Sequence, residues 1–394
     1  MNAGLKNIKI LVINQSLGSM FHDLIEDLAA EAMEVAVICG TKEKFAEKNV
    51  HIIQGPEYIK RNTISRILSW TKFLIFVFRK ILLYDKSWLL IISSNPPMLP
   101  WIGWFFNKIR GQRYIVRVLD IYPDIVVQRG QIPDWNPIIL FWRWLNRKAY
   151  SRAERLVTLG PYMVATISKY LCDTNQKQVV LIPDWANINK ITPIKKEQNP
   201  FAEKYFQTDC ITVQYSGNIG LAHDISLMVK AAHALQDDSR FHFMIIGEGP
   251  AKLKLDAYCR HKKLKNISFL PFQDNDSFKY SLAAADIGVA SIGKGSEGVM
   301  MPCKTYFSMA VGAAILGISY PPNDLAAIIE ENECGINVAP DDLESAVKAL
   351  KRFADEPLWL QECKTNSRKA AEEKFCRKVN TTKLINLIDA VVNC

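Results

Sequence analysis

Residues 9–14 read K-I-L-V-I-N, and this short apolar run decides the fold class. It has the length and composition of a strand buried on both faces, and a loop containing Gly18 follows it. The pattern then predicts a helix from about Phe21 to Ala32 and a second strand at Val35–Cys39. Strand, helix and strand in this order predict a parallel, doubly wound sheet, because neighbouring parallel strands need a crossover between them.

The same alternation continues in two series along the chain. In the first series, further strands are predicted at His51–Gln54, Leu89–Ser93, Tyr114–Val118 and Leu156–Thr158. The second series starts near Cys210, with strands predicted at Ile211–Ser216, Phe241–Ile246, Ile267–Phe269 and Ile287–Ala290 and helices at Leu227–Ala234, Ala251–Cys259 and Ser277–Ala284. A stretch rich in Pro, Asn and Lys at Ile182–Pro200 reads as the linker. With 394 residues, 49% of them hydrophobic, two domains can each bury a core.

The cysteines favour a reducing compartment. All nine are dispersed without a C-x-x-C pair: Cys39, Cys172, Cys210, Cys259, Cys303, Cys334, Cys363, Cys376 and Cys394. Such a set predicts reduced thiols in the cytosol, not a disulfide framework or a zinc site. The polar segment Met1–Lys9 gives no indication of a signal peptide. The one D-x-D, Asp274-Asn-Asp276, directly precedes a predicted helix, so we interpret it as a capping sequence and expect no metal site.

Positive charge is concentrated in one part of the chain. The net charge is +9, and residues 51–150 hold 15 Lys and Arg against 5 Asp and Glu. This region is also the most apolar one, a combination that favours contact with a membrane surface. Nucleic-acid binding fits poorly, because the basic residues alternate with long apolar runs and not with isolated stacking aromatics.

Two segments of this basic region are candidates for the membrane contact. Thr63–Leu83 has a broad apolar face with Trp70 beside it: Ile64, Ile67, Leu68, Phe73, Leu74, Phe76, Val77 and Leu82. Four basic residues interrupt it and argue against a spanning helix: Arg66, Lys72, Arg79 and Lys80. It is either an amphipathic helix lying in the membrane plane or a core helix with a basic wet side. The second segment, Met98–Phe106, is apolar and aromatic and is followed by Lys108, Arg110 and Arg113.

The stretch Gly295–Gly312 carries the chemistry. It reads G-S-E-G-V-M-M-P-C-K-T-Y-F-S-M-A-V-G, with Glu297 in a Gly-flanked loop and Lys304 at the start of a predicted helix. A helix N-terminus offers unpaired N–H groups to an anion, and lysine adds a mobile charge for phosphate. An acid beside a phosphate clamp suggests a nucleotide-sugar site. Cys303 is interpreted as a small residue there and not as a nucleophile.

This stretch resembles the donor-site signature of GT-B glycosyltransferases of the retaining family 4, and specifically the bacterial branch with a P-S-K-type motif. Four further segments occur in that family's order and spacing: Tyr215–Asp224, Ile245–Pro250, Phe269–Phe272 and Ala283–Ala290. The resemblance implies two Rossmann-like parallel-sheet domains facing across a cleft. The expected acceptor-side domain comprises residues 1–181 with a C-terminal helix at 379–394, and the expected donor domain comprises residues 182–378.

The resemblance also implies a set of donor-binding residues. They are Gly18, Ser216, Gly217, Asn218, Gly220, His223, Gly247, Glu248, Pro271, Phe272, Pro302, Lys304 and Thr305. Many relatives carry Arg where this chain has Asn218 and Lys near the position of His223. This departure shifts the expected clamp to Lys304 and to backbone N–H groups.

Two carboxylates are implied to act on the sugar and the acceptor. Glu297 resembles the first acid of the family's E-x7-E pair, whereas the second acid falls at Phe307, a departure that puts the ribose contact in doubt. Asp120, in R-V-L-D-I-Y-P-D, resembles the acid of a D-x-W-P-E segment on the acceptor side. It either orients or helps deprotonate the acceptor, or it hydrogen-bonds a helix N-terminus.

The expected function is therefore metal-independent, retaining transfer of a sugar from a nucleotide diphosphate, UDP more than GDP, without a cofactor. The acceptor would be a lipid-linked one in polysaccharide biosynthesis, with the enzyme cytoplasmic and peripheral on the inner face of the membrane through residues 63–113. Two alternatives stay open. A nucleotide-sugar 2-epimerase uses the same fold, and a catalytically silent GT-B subunit could scaffold an assembly complex.

Overall fold

A computed structural model describes residues 8–31, 33–59, 63–172, 178–220 and 223–393. These ranges do not include Ala32, where the first helix was predicted to end, or Cys394. Most of the segment Met1–Lys9 also lies outside them. The chain divides into two compact units. The first unit is Met1–Pro183 together with Lys378–Cys394, and the second is Asp184–Arg377.

The described residues of the first unit build a seven-stranded parallel sheet in the order β3-β2-β1-β4-β5-β6-β7. Its strands are β1 (Lys9–Ile13), β2 (Glu34–Cys39), β3 (Val50–Gln54), β4 (Trp88–Ser93), β5 (Tyr114–Arg117), β6 (Arg155–Thr158) and β7 (Val179–Leu181). Its helices are α1 (Ser19–Ala30), α2 (Thr63–Ile81), α3 (Leu99–Arg110), α4 (Asp124–Gln128), α5 (Pro137–Arg152), α6 (Pro161–Ser168) and the C-terminal α15 (Arg377–Val392), which begins at the unit boundary.

The strand that opens the sequence occupies the middle of this sheet. β1 pairs with β2 on one side and β4 on the other, and Ile10, Leu11, Val12 and Ile13 are fully buried. Continuous burial without alternation is the property of a strand covered by helices on both faces. The doubly wound sheet predicted from residues 9–14 is thus confirmed.

Helix α2 divides its apolar residues between two faces. Trp70, Phe73, Val77 and Ile81 are buried, at the spacing of one helix face. Of the two alternatives, the core helix is therefore correct for this face, which includes Phe73 and Val77. The other face stays apolar and exposed. Within the described ranges, no helix is long and apolar enough to cross a membrane.

The described residues of the second unit build a six-stranded parallel sheet in the order β10-β9-β8-β11-β12-β13. Its strands are β8 (Ile211–Ser216), β9 (Phe241–Ile246), β10 (Ile267–Leu270), β11 (Ile287–Ser291), β12 (Ala314–Ile318) and β13 (Gly335–Val338). Its helices are α7 (Pro200–Lys204), α8 (Ser226–Ala234), α9 (Lys252–His261), α10 (Asn275–Ala283), α11 (Lys304–Ala310), α12 (Asp324–Glu331), α13 (Leu343–Asp355) and α14 (Pro357–Glu373).

The core of the second unit lies between this sheet and its helices. Tyr215, Phe243 and Phe353 are fully buried within one apolar cluster that joins β8, β9 and α13. The predicted strands β8 to β11 are confirmed, whereas β12 and β13 were not predicted. The eight cysteines among the described residues are free thiols.

Candidate functional site

The predicted donor residues of the second unit gather where its strand order reverses. From β8 the chain proceeds to β9 and β10 on one side, and from β11 to β12 and β13 on the other. β8 and β11 are adjacent, and the loops that follow them run in opposite directions, so they leave a crevice at the carboxyl ends of these strands. Open α/β sheets bind ligands in such a crevice. Ser216 ends β8 and Ser291 ends β11. The site therefore centres on the loops that follow these two residues.

Two glycine turns are pressed together at this edge of the sheet. Gly247 follows β9 with φ 143°, and a Cβ there would lie 2.0 Å from the carbonyl oxygen of Gly217. Gly217, directly after β8, has φ 149°, and its N–H donates to the Ile246 carbonyl at 2.9 Å. Only glycine allows this backbone conformation together with this approach. The loop at Ser216–Gly220 is thereby held against the loop at Gly247–Gly249.

Lys304 lies directly over Gly217. A Cβ at Gly217 would be 3.2 Å from Lys304 Cε and 3.3 Å from Lys304 Nζ. The ammonium donates a hydrogen bond to the Tyr215 hydroxyl at 2.6 Å and stands 4.3 Å from the centre of that ring. The Tyr215 hydroxyl in turn donates to the Asn218 carbonyl at 2.7 Å. Since an ammonium only donates and a carbonyl only accepts, the hydroxyl has one orientation and locks the lysine to the loop.

Burial changes the titration of this lysine. Desolvation lowers the pKa of Lys304 from 10.5 to about 8. Removal from water disfavours the charged form of any amine, and the smaller electrostatic effect of Cys303 opposes the shift only in part. An anion bound beside Lys304 Nζ would stabilise the charged form of this lysine. The arrangement is thus suited to a phosphate group.

His223 connects the two strand ends. Its Nδ1 lies 2.9 Å from the Ser291 carbonyl and must carry a proton, because a carbonyl oxygen only accepts. The Ser291 hydroxyl donates to the Asp224 carbonyl at 2.6 Å. These two bonds fix the segment after β8 to the end of β11, so the role seen for His223 is to hold the loop.

The residues after β9 and β10 complete the rim. Glu248 forms an ion pair with Lys252 at 2.7 Å, and its backbone carbonyl accepts from the Ile219 N–H. Phe272 is 55% exposed, and its ring edge would lie 3.4 Å from a Cβ on Gly247. Pro271 beside it is also exposed. An exposed aromatic ring over a glycine turn offers a flat apolar face to a ligand.

The loop between β11 and α11 holds the remaining predicted residues of this unit. Glu297 is partly buried, and its charge contributes to raising the pKa of Tyr320, after the larger effects of a hydrogen bond to Asp341 and burial. Pro302 is buried and accepts from the Thr305 N–H at 3.1 Å. Thr305 itself is fully buried, and its hydroxyl has no hydrogen-bond partner among the described residues. Its side chain therefore faces the interior.

At the position expected for a second acid, Phe307 makes an aromatic contact. The Phe307 ring packs edge-on against Phe278 with centroids 6.0 Å apart, which joins α11 to α10. At the D-x-D, Asp274 accepts from the Ser277 N–H at 2.7 Å, so the interpretation as a helix cap is confirmed. In the part of the chain that the structure describes, no group of three or more His, Cys, Asp or Glu side chains could hold a metal ion.

Gly18 and Asp120 belong to the first unit. Gly18 is exposed at the start of α1, after β1, and a Cβ there would meet open space. Asp120 follows β5, and its N–H donates to the Ser94 hydroxyl at 3.3 Å. Burial raises the pKa of Tyr122 to about 12, with the charge of Asp120 adding to the shift. Asp120 thus lies close to the phenol of Tyr122 at the carboxyl end of the sheet.

Sequence reasoning missed Tyr215 as a site residue. It was part of a recognised motif, but its role comes from a contact with a lysine 89 residues away. A buried phenol normally has a hydrogen-bond partner. A tyrosine in a predicted buried strand was therefore the one signal that could have indicated a contact of this kind.

Two curated relatives align with this chain. A glycosyltransferase named WbjE from Pseudomonas aeruginosa is 27% identical over 67% of this chain, and the match spans 64% of that relative's length, just under two thirds. WcaI of Escherichia coli, named as a colanic acid biosynthesis glycosyl transferase, is 22% identical over 96% of this chain and 99% of its own.

Two solved structures share the fold along nearly the whole chain. Sucrose-phosphate synthase from Thermosynechococcus elongatus has a TM-score of 0.77 at 16% identity, with 98% of this chain and 99% of the other covered. HepE of Anabaena in complex with UDP-glucose has a TM-score of 0.75 at 11% identity, with 97% and 99% covered. The expected fold is confirmed as GT-B, with two Rossmann-like parallel-sheet domains.

A protein-family model matches the second unit. Residues 211–356 match the model described as "Glycosyl transferases group 1". The match begins at β8 and extends through α13, so it contains every donor-side loop described above. The similarity to this family therefore lies in the second unit, over residues 211–356.

Proposed function

We propose that this chain is a retaining glycosyltransferase of polysaccharide biosynthesis. It transfers a sugar from a nucleotide diphosphate donor, UDP more than GDP, to a lipid-linked acceptor. The group 1 domain and the two relatives named as glycosyltransferases support the reaction class. The similarity to HepE, which was solved in complex with UDP-glucose, favours UDP as the nucleotide.

One observation carries the proposal, namely the Lys304 ammonium held over Gly217 at the reversal of strand order. A diphosphate bound above the two glycine turns would lie beside this cation and beside the backbone at the end of β8. Preorganised positive charge stabilises the charge that builds on a leaving phosphate oxygen. Because Lys304 and backbone groups provide it, the proposal requires neither a metal ion nor a cofactor.

The proposed step is a front-face substitution. The acceptor hydroxyl approaches the anomeric carbon from the side that the diphosphate leaves. The bond from that carbon to the phosphate oxygen breaks, the new glycosidic bond forms, and the leaving phosphate takes the hydroxyl proton. Glu297 would contact the transferred sugar, and Asp120 would orient the acceptor. Proximity and orientation supply the remainder of the rate enhancement.

The acceptor side includes a membrane contact. We propose that residues 63–113 bind the inner face of the cell membrane and thereby meet a lipid-linked acceptor. The exposed apolar residues of α2 support this, for example Ile64 at 72% and Leu68 at 55% exposure, together with the basic residues between them. A helix of this composition lies in the interface more readily than across it.

The test is release of nucleoside diphosphate from a panel of UDP- and GDP-sugars, with and without a membrane lipid extract as acceptor. We expect release from one donor that depends on the extract and is lost in Glu297→Gln. Lys348→Ala, an exposed lysine on α13, serves as the matched control and should behave as wild type. Binding of UDP without release from any donor would favour the silent scaffold instead.

A further inference from the structure

One sheet face of the first unit carries α2, α3 and α5 in a single layer. From β1 the chain moves through β2 to β3 at one edge, and then returns across the sheet to β4, β5 and β6. Right-handed crossovers place the helices of the returning connections on one face. Ring contacts join neighbours within the layer, with Phe78 against Phe105 at 5.3 Å and Trp101 against Trp142 at 5.7 Å.

The charge of this layer has one sign. The three helices contain ten Lys and Arg and no Asp or Glu. A surface of ordinary solvated helices would intersperse both signs. Arg143 is ion-paired with Asp124 and Asp134. The other basic residues of the layer match a surface of uniform negative charge, such as anionic lipid head groups.

The outer side of the layer is apolar well beyond residues 63–113. On α5, four large apolar side chains are exposed: Ile138 at 67%, Leu140 at 53%, Phe141 at 59% and Trp144 at 46%. Trp135, in the loop before α5, is 76% exposed. A contiguous exposed apolar face with a basic border is typical of an interaction site, and tryptophan is favoured at the level of lipid head groups.

The basic side chains lie along aromatic rings instead of covering separate surface. Lys148 Nζ stands 5.9 Å from the Trp144 ring centre, and Lys108 Nζ stands 5.8 Å from that of Trp104. Phe141 stacks on Trp144 with centroids 5.8 Å apart. Each lysine thus keeps its apolar stem beside a ring and carries its ammonium group at the far end. Lysines adopt this arrangement where they reach from an apolar layer to its charged boundary.

From these observations we infer that α5 and Trp135 form part of the membrane-docking surface, whose occupant is an anionic lipid bilayer. The inference extends the membrane contact proposed above and rests on that part of the proposed function. In this arrangement Ile138, Phe141 and Trp144 enter the head-group boundary, while Arg147 and Lys148 meet lipid phosphates.

The test is co-sedimentation of the full chain with vesicles of equimolar phosphatidylcholine and phosphatidylglycerol, and with phosphatidylcholine alone. The α5 variant combines Ile138→Ser, Phe141→Ser and Trp144→Ser, all at exposed positions. Its matched control combines Leu253→Ser and Leu358→Ser, which are 82% and 87% exposed in the second unit. We expect the α5 variant to lose at least about tenfold in affinity for the anionic vesicles and the control to lose none. Wild type should bind phosphatidylcholine alone more weakly, and salt should weaken its anionic binding.

A comparison variant separates this inference from the proposed function. It combines Ile64→Ser, Ile67→Ser and Leu68→Ser on α2. Loss of vesicle binding in the α2 variant with full binding in the α5 variant would overturn the role of α5 and leave the contact through residues 63–113. Absence of vesicle binding by wild type would overturn both the role of α5 and the membrane contact through residues 63–113.

Light scattering tests a different occupant of the surface. If wild type is a dimer and the α5 variant a monomer, the surface binds a second copy and the lipid assignment is wrong. Binding of UDP, measured on the same samples, reports the donor site independently.

Discussion

Donor binding should depend on the protonation of Lys304. Burial lowers the pKa of this lysine to about 8 in the free protein, and its ammonium is the cation that lies over Gly217. A diphosphate binds the charged form, so affinity is full below pH 8 and falls as pH rises above it. Phosphate groups have completed their last ionisation, with a pKa of about 6, before this range. The slope above pH 8 therefore belongs to the protein.

The size of the effect follows from the pKa. If only the protonated lysine binds, the apparent Kd grows by the factor 1 + 10^(pH − pKa). Between pH 7 and pH 9 this predicts roughly tenfold weaker binding of UDP, equivalent to about 1.4 kcal/mol. Lys304→Arg should bind UDP with no such dependence, because a guanidinium stays charged across the range. Lys304→Met should bind weakly at both pH values.

The assay is calorimetric titration with UDP at pH 7, 8 and 9 in buffers of matched ionic strength. Wild type should show the roughly tenfold change, with proton uptake on binding near pH 8 and above. Equal affinity of wild type at pH 7 and pH 9 would refute the role of Lys304. The same slope in Lys304→Met would also refute it, since another group would then be titrating.

Four further substitutions separate the site from the stability of the fold. Tyr215→Phe keeps the ring but removes the hydroxyl that holds Lys304, so UDP affinity should fall several-fold and unfolding free energy by about 1 kcal/mol; unchanged affinity would exclude a positioning role. Gly247→Ala and Gly335→Ala each force a Cβ against a backbone carbonyl, at 2.0 Å and 1.9 Å, so both should destabilise by at least about 1–3 kcal/mol. Only Gly247→Ala should also abolish UDP binding in the folded fraction, and equal UDP affinity of the two variants would contradict the glycine-turn site. Asp274→Ala removes a helix cap and should cost about 1 kcal/mol in thermal unfolding without changing UDP affinity.

The strands that the sequence predicted share one property. They are short runs rich in apolar and β-branched residues between turn residues, as at Lys9–Ile13 and Ile211–Ser216, and local composition is enough to identify them. β12 reads A-I-L-G-I directly after the Lys304 helix, and β13 reads G-I-N-V. Both strands are placed by pairing within the sheet, since β12 pairs with β11 and β13 pairs with β12.

The exposed face of α5 was hidden from sequence reasoning for a related reason. Ile138, Ile139 and Leu140 are consecutive apolar residues, yet only Ile139 is buried. Amphipathic periodicity identifies a helix face by contrast with polar neighbours, and here both faces are apolar. Burial against α3 had to be known before the outer face could be recognised as unpaired.

The candidate site was predictable in its loops but not in its contacts. Glycines after predicted strands indicated close backbone approach at Gly217 and Gly247, and the structure has both turns there. The position of Lys304 depends on Tyr215 in a distant strand, a pairing without any local pattern. Likewise, the sequence showed Phe307 at the position where the resemblance implies a second acid. It could not show the ring contact that Phe307 makes with Phe278.

The most direct test of the central claim is titration of the purified protein with UDP and then GDP, without added metal. We predict micromolar binding of one nucleotide, UDP rather than GDP, that is lost in Lys304→Ala and Glu297→Ala and retained in Lys348→Ala. Absence of binding to either nucleotide in a folded sample would contradict a working donor site.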